Sequence, residues 1–351
     1  MRTAISLNDF IFRGDADFDS VADHVAAAER LGVDTVWSAE AWGTDAIVPL
    51  AYVAARTTRI RLASGIMQVT ARVPAMTAMT AMTLDHVSHG RFVLGLGVSG
   101  PQVVEGLHGQ RYAKPLERLR ETVDVLRLAM SGEKIAYQGN QIVLPLPGGQ
   151  GKALRLGQPA RPHIPIFLAT LGPLALQYTG EAADGWVGTC FVPEAAGYYL
   201  QHLRAGAERA GRSMADIAIG AGGPVAITDD VEPLLAARKK ALVFQVSAMG
   251  SPTTNFYHDA FVKLGYGEAV DRVRDIYLSG KHDEARDAVP DALAVGTSLF
   301  GTEAMVRDRI RAYRDAGVTD LRLEPMGRTP EAKLDVLGHV IDLVREVDAA
   351  R

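Results

Sequence analysis

One segment, Arg59 to Pro101, constrains the fold more than any other part of the chain. It contains two apolar runs, 60–63 and 91–97, separated by a stretch with apolar residues at helical spacing. Two buried strands joined by a helix form a parallel βαβ unit, whose crossover is right-handed. Both predicted strands end in small residues, at Ser64-Gly65 and at Ser99-Gly100, so a flat ligand could approach the backbone there.

Strand and helix patterns alternate through most of the remaining chain. Further strands are predicted at 3–10, 34–40, 165–170, 185–191, 217–228 and 321–324. Further helices are predicted at 18–31, 46–56, 115–130, 172–183, 196–210, 303–316 and 330–347, with Gly32 placed to end the helix 18–31. Eight strands that alternate with helices predict an α/β protein with a (β/α)8 TIM barrel. The active site of such a barrel lies at the C-terminal ends of its strands.

Two segments interrupt this alternation. Residues 133–163 are rich in Gly, Pro and Gln, and we predict an insertion there with a small hairpin over part of the barrel mouth. Residues 231–300 are predicted to be mostly helical, and 231–290 is too long for one crossover. We therefore expect one barrel domain over residues 1–351 with insertions at about 133–163 and 231–290.

Composition limits the classes of partner. Lys and Arg number 37 and Asp and Glu 41, a net charge of −4 without a long run of either sign, which argues against nucleic acid and anionic membranes. No apolar run approaches the roughly 20 residues that a membrane span needs, and the N-terminus lacks a signal-peptide pattern. A single cysteine, Cys190, fits a reducing compartment. We expect a cytoplasmic protein that acts on a small molecule.

Few side chains are candidates for chemistry. Glu40 closes the second strand and could act as a general acid or hydrogen-bond a ligand, whereas Asp45 fits the start of the next helix about as well. Cys190 ends the sixth strand, where a buried small hydrophobe is the simpler interpretation. The sequence shows no metal-binding motif, so no metal is expected. A barrel without its own nucleophile or metal set is expected to obtain its chemistry from a cofactor.

Three glycine-containing stretches lie at predicted strand ends. Gly95 to Gly100 has GxGxxG spacing but follows the fourth strand, which argues against a Rossmann site. Two interpretations are favoured instead: small residues that simply end the strand, or a cofactor ring or ribityl chain that lies across them. Leu171-Gly172-Pro173 could bind a phosphate at a helix N-terminus or simply cap that helix. Gly65-Ile66 could be a bulge or an ordinary strand end. Met76, Met79 and Met82, like Trp37 and Trp186, are predicted to pack in the core.

Five motifs, in order, resemble the bacterial-luciferase-like superfamily, and within it the coenzyme F420-dependent oxidoreductases similar to methylenetetrahydromethanopterin reductase. The motifs are VWSAEAWGTDAIVPLAYVAARTTRIRLASGI, VPAMTAMTAMTLDHVSHGRFVLGLGVSGP, KPLERLRETVDVLR, PIFLATLGP and GEAADGW. The resemblance covers about residues 3–228 and returns at 293–326. It implies a luciferase-like TIM barrel that binds a deazaflavin at its C-terminal mouth and exchanges a hydride at the C5 atom of the ring.

The resemblance also implies roles for particular residues. Gly65-Ile66, preceded by Ser64, matches a non-prolyl cis peptide that bulges behind the deazaflavin ring. Gly97, Val98, Ser99 and Gly100 match the loop that lines the ring and its side chain, and Thr170, Leu171, Gly172 and Pro173 match the phosphate-side loop. Glu40 falls where many relatives carry an Asp-His pair, so the histidine that some relatives use on substrate is replaced here.

We therefore expect an F420-dependent oxidoreductase that transfers a hydride to or from a small organic substrate, with Glu40 as proton donor or orienting group. One alternative is an FMN-dependent monooxygenase that receives reduced flavin from a partner reductase. Another is a cofactor-binding protein without catalytic activity. The resemblance further implies a homodimer.

Overall fold

The computed structural model describes residues 1–11, 17–251 and 254–350. Within these residues the strands are β1 Arg2–Ser6, β2 Thr35–Ser38, β3 Arg61–Ser64, β4 Met67–Gln68, β5 Phe92–Gly97, β6 Tyr137–Gln138, β7 Val143–Leu144, β8 Ile166–Ala169, β9 Gly185–Val187, β10 Ala218–Ile227, β11 Leu299–Gly301 and β12 Asp320–Pro325. The α-helices are α1 Asn8–Ile11, α2 Phe18–Leu31, α3 Ile47–Ala54, α4 Pro74–Val87, α5 Pro101–Val104, α6 Pro115–Met130, α7 Pro173–Ala182, α8 Gly197–Arg209, α9 Glu232–Val243, α10 Phe256–Phe261, α11 Gly267–Leu278, α12 His282–Asp287, α13 Asp291–Gly296, α14 Glu303–Asp315 and α15 Pro330–Ala349. No helix among these residues is long and apolar enough to cross a membrane.

Eight parallel strands close into a barrel, which confirms the predicted fold class. Hydrogen-bonded neighbours follow the order β1, β2, β3, β5, β8, β9, β10 and β12, and β12 pairs with β1 to complete the ring. Two short strands extend the wall on the C-terminal side: β4 pairs with β5, and β11 pairs with the last three residues of β10. Because parallel strands end on the same side, their C-terminal ends surround one mouth.

Two separate apolar clusters follow from the alternation of side chains along each strand. The smaller cluster fills the middle of the barrel and takes one buried residue from each of six strands: Ala4, Trp37, Ala63, Val93, Phe167 and Val187. The larger cluster lies between the strands and the surrounding helices. Inward-facing and outward-facing residues therefore belong to different packing environments, as the period of two along a strand requires.

The ion pairs of Asp320 close the N-terminal end of the barrel. Its buried carboxylate accepts hydrogen bonds from Arg2 at 2.6 and 2.9 Å and from Arg61 at 2.9 Å. These contacts join β12, β1 and β3 across the bottom of the barrel, opposite the mouth.

The structure corrects several details of the sequence-based predictions. The first strand was expected to reach residue 10 but ends at Ser6. Residues 8–11 form a helical turn instead. Leu299–Gly301 is a strand within the stretch that was predicted to be helical. Met82 is buried as predicted, but Met76 and Met79 are about half exposed and do not belong to the core. Helical spacing alone does not say which side of a helix faces the barrel.

The first insertion contains the predicted small hairpin, formed by β6 and β7, whereas its position over the barrel mouth stays a prediction. The carboxylate of Glu121, on α6, accepts hydrogen bonds from the backbone N–H groups of Asn140, Gln141 and Ile142 at 2.6 to 2.8 Å. These contacts place the hairpin against α6. The second insertion contains α9 to α12 and two π-helical turns, Phe244–Ala248 and Val262–Tyr266.

Replacing Asp320 with Asn is expected to destabilise the barrel, because two guanidinium groups lose their carboxylate partner. The expected loss is about 2 kcal/mol, below the roughly 3–5 kcal/mol of a fully buried pair since Arg2 and Arg61 keep contact with water. The free energy of unfolding in urea, compared between the wild type and Asp320→Asn, measures this loss. The control is Asp308→Asn, which removes an exposed ion pair with Arg311 and should change stability by less than about 0.5 kcal/mol. Equal free energies of unfolding for the two variants would show that the ion pairs of Asp320 do not stabilise the barrel.

Candidate active site

The end of β3 approaches the middle of β5 unusually closely. The hydroxyl of Ser64 donates to the carbonyl oxygen of Gly95 at 3.0 Å and accepts from the backbone N–H of Gly95 at 2.9 Å. A Cβ atom at position 95 would lie 1.9 Å from the carbonyl oxygen of Ser64, so only glycine fits there. This contact fixes the point at which β3 ends.

A bulge follows directly after Ser64. The Gly65–Ile66 peptide bond is cis, as the resemblance implies, and the chain then resumes pairing with β5 through β4. Gly65 packs over Trp37, since a Cβ atom at position 65 would lie 2.8 Å from the indole ring. Ile66 lies across Gly97, where an added Cβ atom would come within 2.9 Å of its side chain. The half-buried Ile66 thus forms an apolar platform at the mouth, beside the end of β8.

Glu40 is bound into the base of this bulge. Its carboxylate accepts hydrogen bonds from the backbone N–H of Gln68 at 2.9 Å and from Arg72 at 2.7 and 2.9 Å. Its backbone N–H donates to the carbonyl oxygen of Ile66 at 3.4 Å. The carboxylate of Asp45 instead accepts from the backbone N–H groups of Ile47 and Val48 at the start of α3, which agrees with its interpretation as a helix-terminal acid.

The loops after β5 and β8 leave open space beside the platform. Ser99 has a left-handed backbone, with φ at 57°, and its carbonyl oxygen accepts from the Tyr112 hydroxyl at 3.3 Å. Gly100 and Gly172 precede α5 and α7, and apart from its chain neighbours no atom of the described residues lies within 4 Å of a Cβ built on either. Thr170 is buried and hydrogen-bonds Thr179 at 2.7 Å, so it anchors the loop that leads to Leu171, Gly172 and Pro173.

The match to a known family covers most of the chain. Residues 5–320 fit the family described as luciferase-like monooxygenase. The chain belongs to the luciferase-like monooxygenase family.

Several known proteins resemble this chain over most of its length. A protein of Mycobacterium tuberculosis with the provisional name coenzyme F420-dependent oxidoreductase is 43% identical over 306 residues, which cover 85% of this chain and 88% of the relative. The 5,10-methylenetetrahydromethanopterin reductase of Methanolobus tindarius is 27% identical and covers 92% of this chain and 95% of its own. The coenzyme F420-dependent tetrahydromethanopterin reductase structure from Methanopyrus kandleri superposes with a TM-score of 0.77 at 23% identity, over 96% of this chain and 97% of that chain. At 23% identity, the similarity to the Methanopyrus kandleri structure shows the fold alone.

In this luciferase-like barrel the predicted site residues fall into two groups. Ser64, Gly65, Ile66 and Glu40 form one connected cluster with the start of the 97–100 loop. The Thr170–Pro173 loop follows β8, which pairs with β5, so it borders the same side of the mouth. Cys190 is buried, its thiol accepts from the Gln245 side chain at 3.4 Å, and burial raises the pKa of that thiol. The simpler interpretation of Cys190, a buried small hydrophobe, is confirmed.

Sequence reasoning did not identify the partners of Glu40 or the charged residues of β12. Gln68 and Arg72 lie 28 and 32 residues after Glu40, and no local pattern joins them to it. Asp320, Arg322 and Glu324 do carry a signal, because charges at every second position of a buried strand must all face one side. Within the described residues no group of His, Cys, Asp and Glu side chains is arranged to hold a metal ion.

Replacing Glu40 with Gln is expected to weaken the bulge, because the ion pair with Arg72 is lost and one amide group cannot accept all the present hydrogen bonds. The loss of unfolding free energy should be about 2 kcal/mol. Urea unfolding measures it, with Glu208→Gln on an exposed face of α8 as the matched control. A Glu40→Gln variant as stable as the control would show that these contacts do not support the site.

Proposed function

We propose that this chain is an oxidoreductase that uses coenzyme F420 and exchanges a hydride with a small organic substrate. The observation that carries this proposal is the 43% identity, over most of both chains, to the mycobacterial protein with that provisional name. The bound deazaflavin would supply hydride chemistry at its C5 atom, and the protein would supply position and shelter from water.

The residues at the mouth fit a flat ring with a phosphate-bearing side chain. Ser64, Gly65 and Ile66 would support one face of the ring, since Ile66 presents an apolar surface held by the contacts below it. The loop Gly97 to Gly100 would line the ring edge and side chain, because no protein atom fills the space beside Gly100. Thr170 to Pro173 would face the phosphate, where the first backbone N–H groups of α7 have no partner within the helix.

For Glu40 we propose the orienting role in preference to proton donation. The Glu40 carboxylate accepts hydrogen bonds from Arg72 and from the Gln68 backbone, so its oxygens already hold the segment that follows the bulge. It would keep Ile66 in place beneath the ring, through both its side chain and its backbone N–H.

A luciferase-like monooxygenase that uses FMN is the second candidate, and the description of the family favours it. In that case a partner reductase would supply reduced flavin. A cofactor-binding protein without catalysis is the third candidate and would bind either ligand without turnover.

Parallel titrations of the protein with F420 and with FMN test the first two candidates. Trp37 packs against Gly65 and lies 5.8 Å from the Phe167 ring, so its fluorescence should report on a ligand at the platform. Saturable binding of F420 at micromolar concentration with weaker binding of FMN is the expected result. Preference for FMN would overturn the proposal in favour of the monooxygenase.

Replacing Gly172 with Val should weaken F420 binding at least tenfold, because a side chain would occupy space proposed for the phosphate. The extended backbone at position 172, with φ at −81° and ψ at 153°, accepts any residue, so stability should not change. A deazaflavin that lacks the phosphate should bind wild type and variant equally. Gly151→Val, also in open space, is the control. Unchanged F420 affinity in Gly172→Val would favour the simple helix-cap interpretation of this loop.

We also propose that the protein is a cytoplasmic homodimer. An apolar groove of about 290 Å³ lies between α3 and α4, lined mainly by Ile47, Ala51, Met76, Met79, Leu84 and Val87. Val48 and Tyr52 add exposed apolar surface on α3. Contiguous apolar surface of this kind is typical of an association site. The buried free thiol of Cys190 is compatible with a reducing compartment.

Replacing Met79 with Glu should convert a dimer into a monomer, because a carboxylate would have to lose its hydration in the apolar groove. Sedimentation velocity measures the mass of each form. The control is Leu278→Glu, which introduces the same charge on α11 at an exposed apolar position. A dimer that persists in Met79→Glu would place the interface on another surface.

A further inference from the structure

Charged side chains of β12 project into the barrel. Arg322 pairs in register with Ala4 of β1 and Gly222 of β10, and Ala4 belongs to the inner apolar cluster. Asp320 and Glu324 lie two residues before and after Arg322, so they face the same interior. The register partners of Arg322 are small, and they leave space around its long side chain.

Among the described residues, Asp320 is the one of these three charges that forms an ion pair. Asp320 is bound by Arg2 and Arg61, as described above. Throughout the described part of the chain, no side chain or backbone group lies within hydrogen-bond or ion-pair distance of the Arg322 guanidinium or the Glu324 carboxylate. Both residues are half-buried. A charge that is partly removed from water and lacks a partner is costly for the protein, which points to a ligand as the missing partner.

A second guanidinium comes from the inserted helix α9. Arg238 donates to the hydroxyl of Thr297 at 3.0 Å, just before β11, and interacts electrostatically with Glu324. Burial lowers the pKa of Arg238, yet its guanidinium has no carboxylate within 4.0 Å among residues 1–11, 17–251 and 254–350. Arg238, Arg322 and Glu324 therefore place two positive charges and one negative charge beside the upper part of β12.

This group lies opposite the proposed ring site. In the closed order of eight strands, β12 is four strands from β5 in either direction. The loop Gly97 to Gly100 and the β12 charges thus border opposite sides of the mouth. A reactant between them could meet the ring on one side and the guanidinium groups on the other.

We infer that Arg322 and Arg238 bind an anionic group, a carboxylate or a phosphate, on the reactant that exchanges the hydride. The excess of one positive charge in the group selects an anion, and Glu324 limits how much negative charge the site accepts. The assignment of the anion to this reactant rests on the proposed function. The anion site itself rests on the register of β12 and on the lack of protein partners for Arg322 and Glu324 among the described residues.

The test measures binding of inorganic phosphate and of acetate to cofactor-free protein, by the broadening of their ³¹P and ¹H resonances. The variants are R322Q, R238Q and E324Q, and R204Q on an exposed face of α8 is the control. R322Q and R238Q should each weaken binding of at least one of the two anions tenfold, because each removes a charged donor. E324Q should strengthen it about threefold, and R204Q should leave it unchanged. R322Q should fold normally, since the guanidinium that it removes has no partner among the residues that the structure describes.

Titration of the same variants with F420 separates the possible sources of the anion. Unchanged F420 affinity in R322Q and R238Q, together with the loss of phosphate or acetate binding, supports an anionic reactant. Loss of F420 affinity with unchanged affinity for the phosphate-free deazaflavin would assign the anion to the cofactor and overturn the inference. Equal anion binding by R322Q, R238Q and the wild type would also overturn it. If the wild type does not bind F420 but R322Q loses anion binding, the anion site stands and the proposed function fails.

Discussion

The candidate site depends on the close approach of β3 and β5. Because position 95 is glycine, the carbonyl oxygen of Ser64 can occupy the space that a Cβ atom would take, and the Ser64 hydroxyl then satisfies both backbone groups of Gly95. This contact ends β3 at Ser64 and leaves the next two residues to form the bulge. Ile66 reaches the mouth only because the strand stops there, and Glu40 then holds the returning segment at Gln68.

The mouth is divided into two chemically different halves. On the side of β3, β5 and β8, the candidate site consists mainly of backbone, small residues and the aliphatic side chains of Ile66, Val98 and Leu171, and the Glu40 carboxylate is bound to Arg72. On the side of β10, β11 and β12, the charged side chains of Arg322 and Glu324 face the interior, and neither has a protein partner among the described residues. A planar, weakly polar group suits the first half, and an anion suits the second. The two halves differ because β5 carries glycine where it faces the mouth, whereas β12 carries charged residues at its inward positions.

Much of the fold could be predicted from sequence, because a period of two in short apolar runs and a period near 3.6 between them are local signals. All eight barrel strands lie within the predicted alternation. The sequence-based predictions were wrong where the local pattern of apolar residues does not distinguish a short strand from a helix, or a buried helix face from an exposed one. Leu299–Gly301 is a three-residue strand inside a helical stretch, and Met76 and Met79 have core-like spacing on an exposed face. The cis bond at Gly65-Ile66 was implied by resemblance, whereas the partners of Glu40 are set by tertiary contacts that no spacing reveals.

The two guanidinium groups of the proposed anion site are held by different parts of the fold. The strands fix Arg322 and Glu324, because inward positions on β12 are determined by its register with β1 and β10. Arg238 comes from α9, and its position depends on the packing of α9 against α13 and on the hydrogen bond to Thr297. A change in the inserted helices would therefore move one guanidinium while the other stayed in place. Such a change would alter the shape and charge of the reactant side without disturbing the bulge at β3. The proposed recognition of the reactant and the proposed support of the ring are thus separable, since their residues lie on opposite strands of the same barrel.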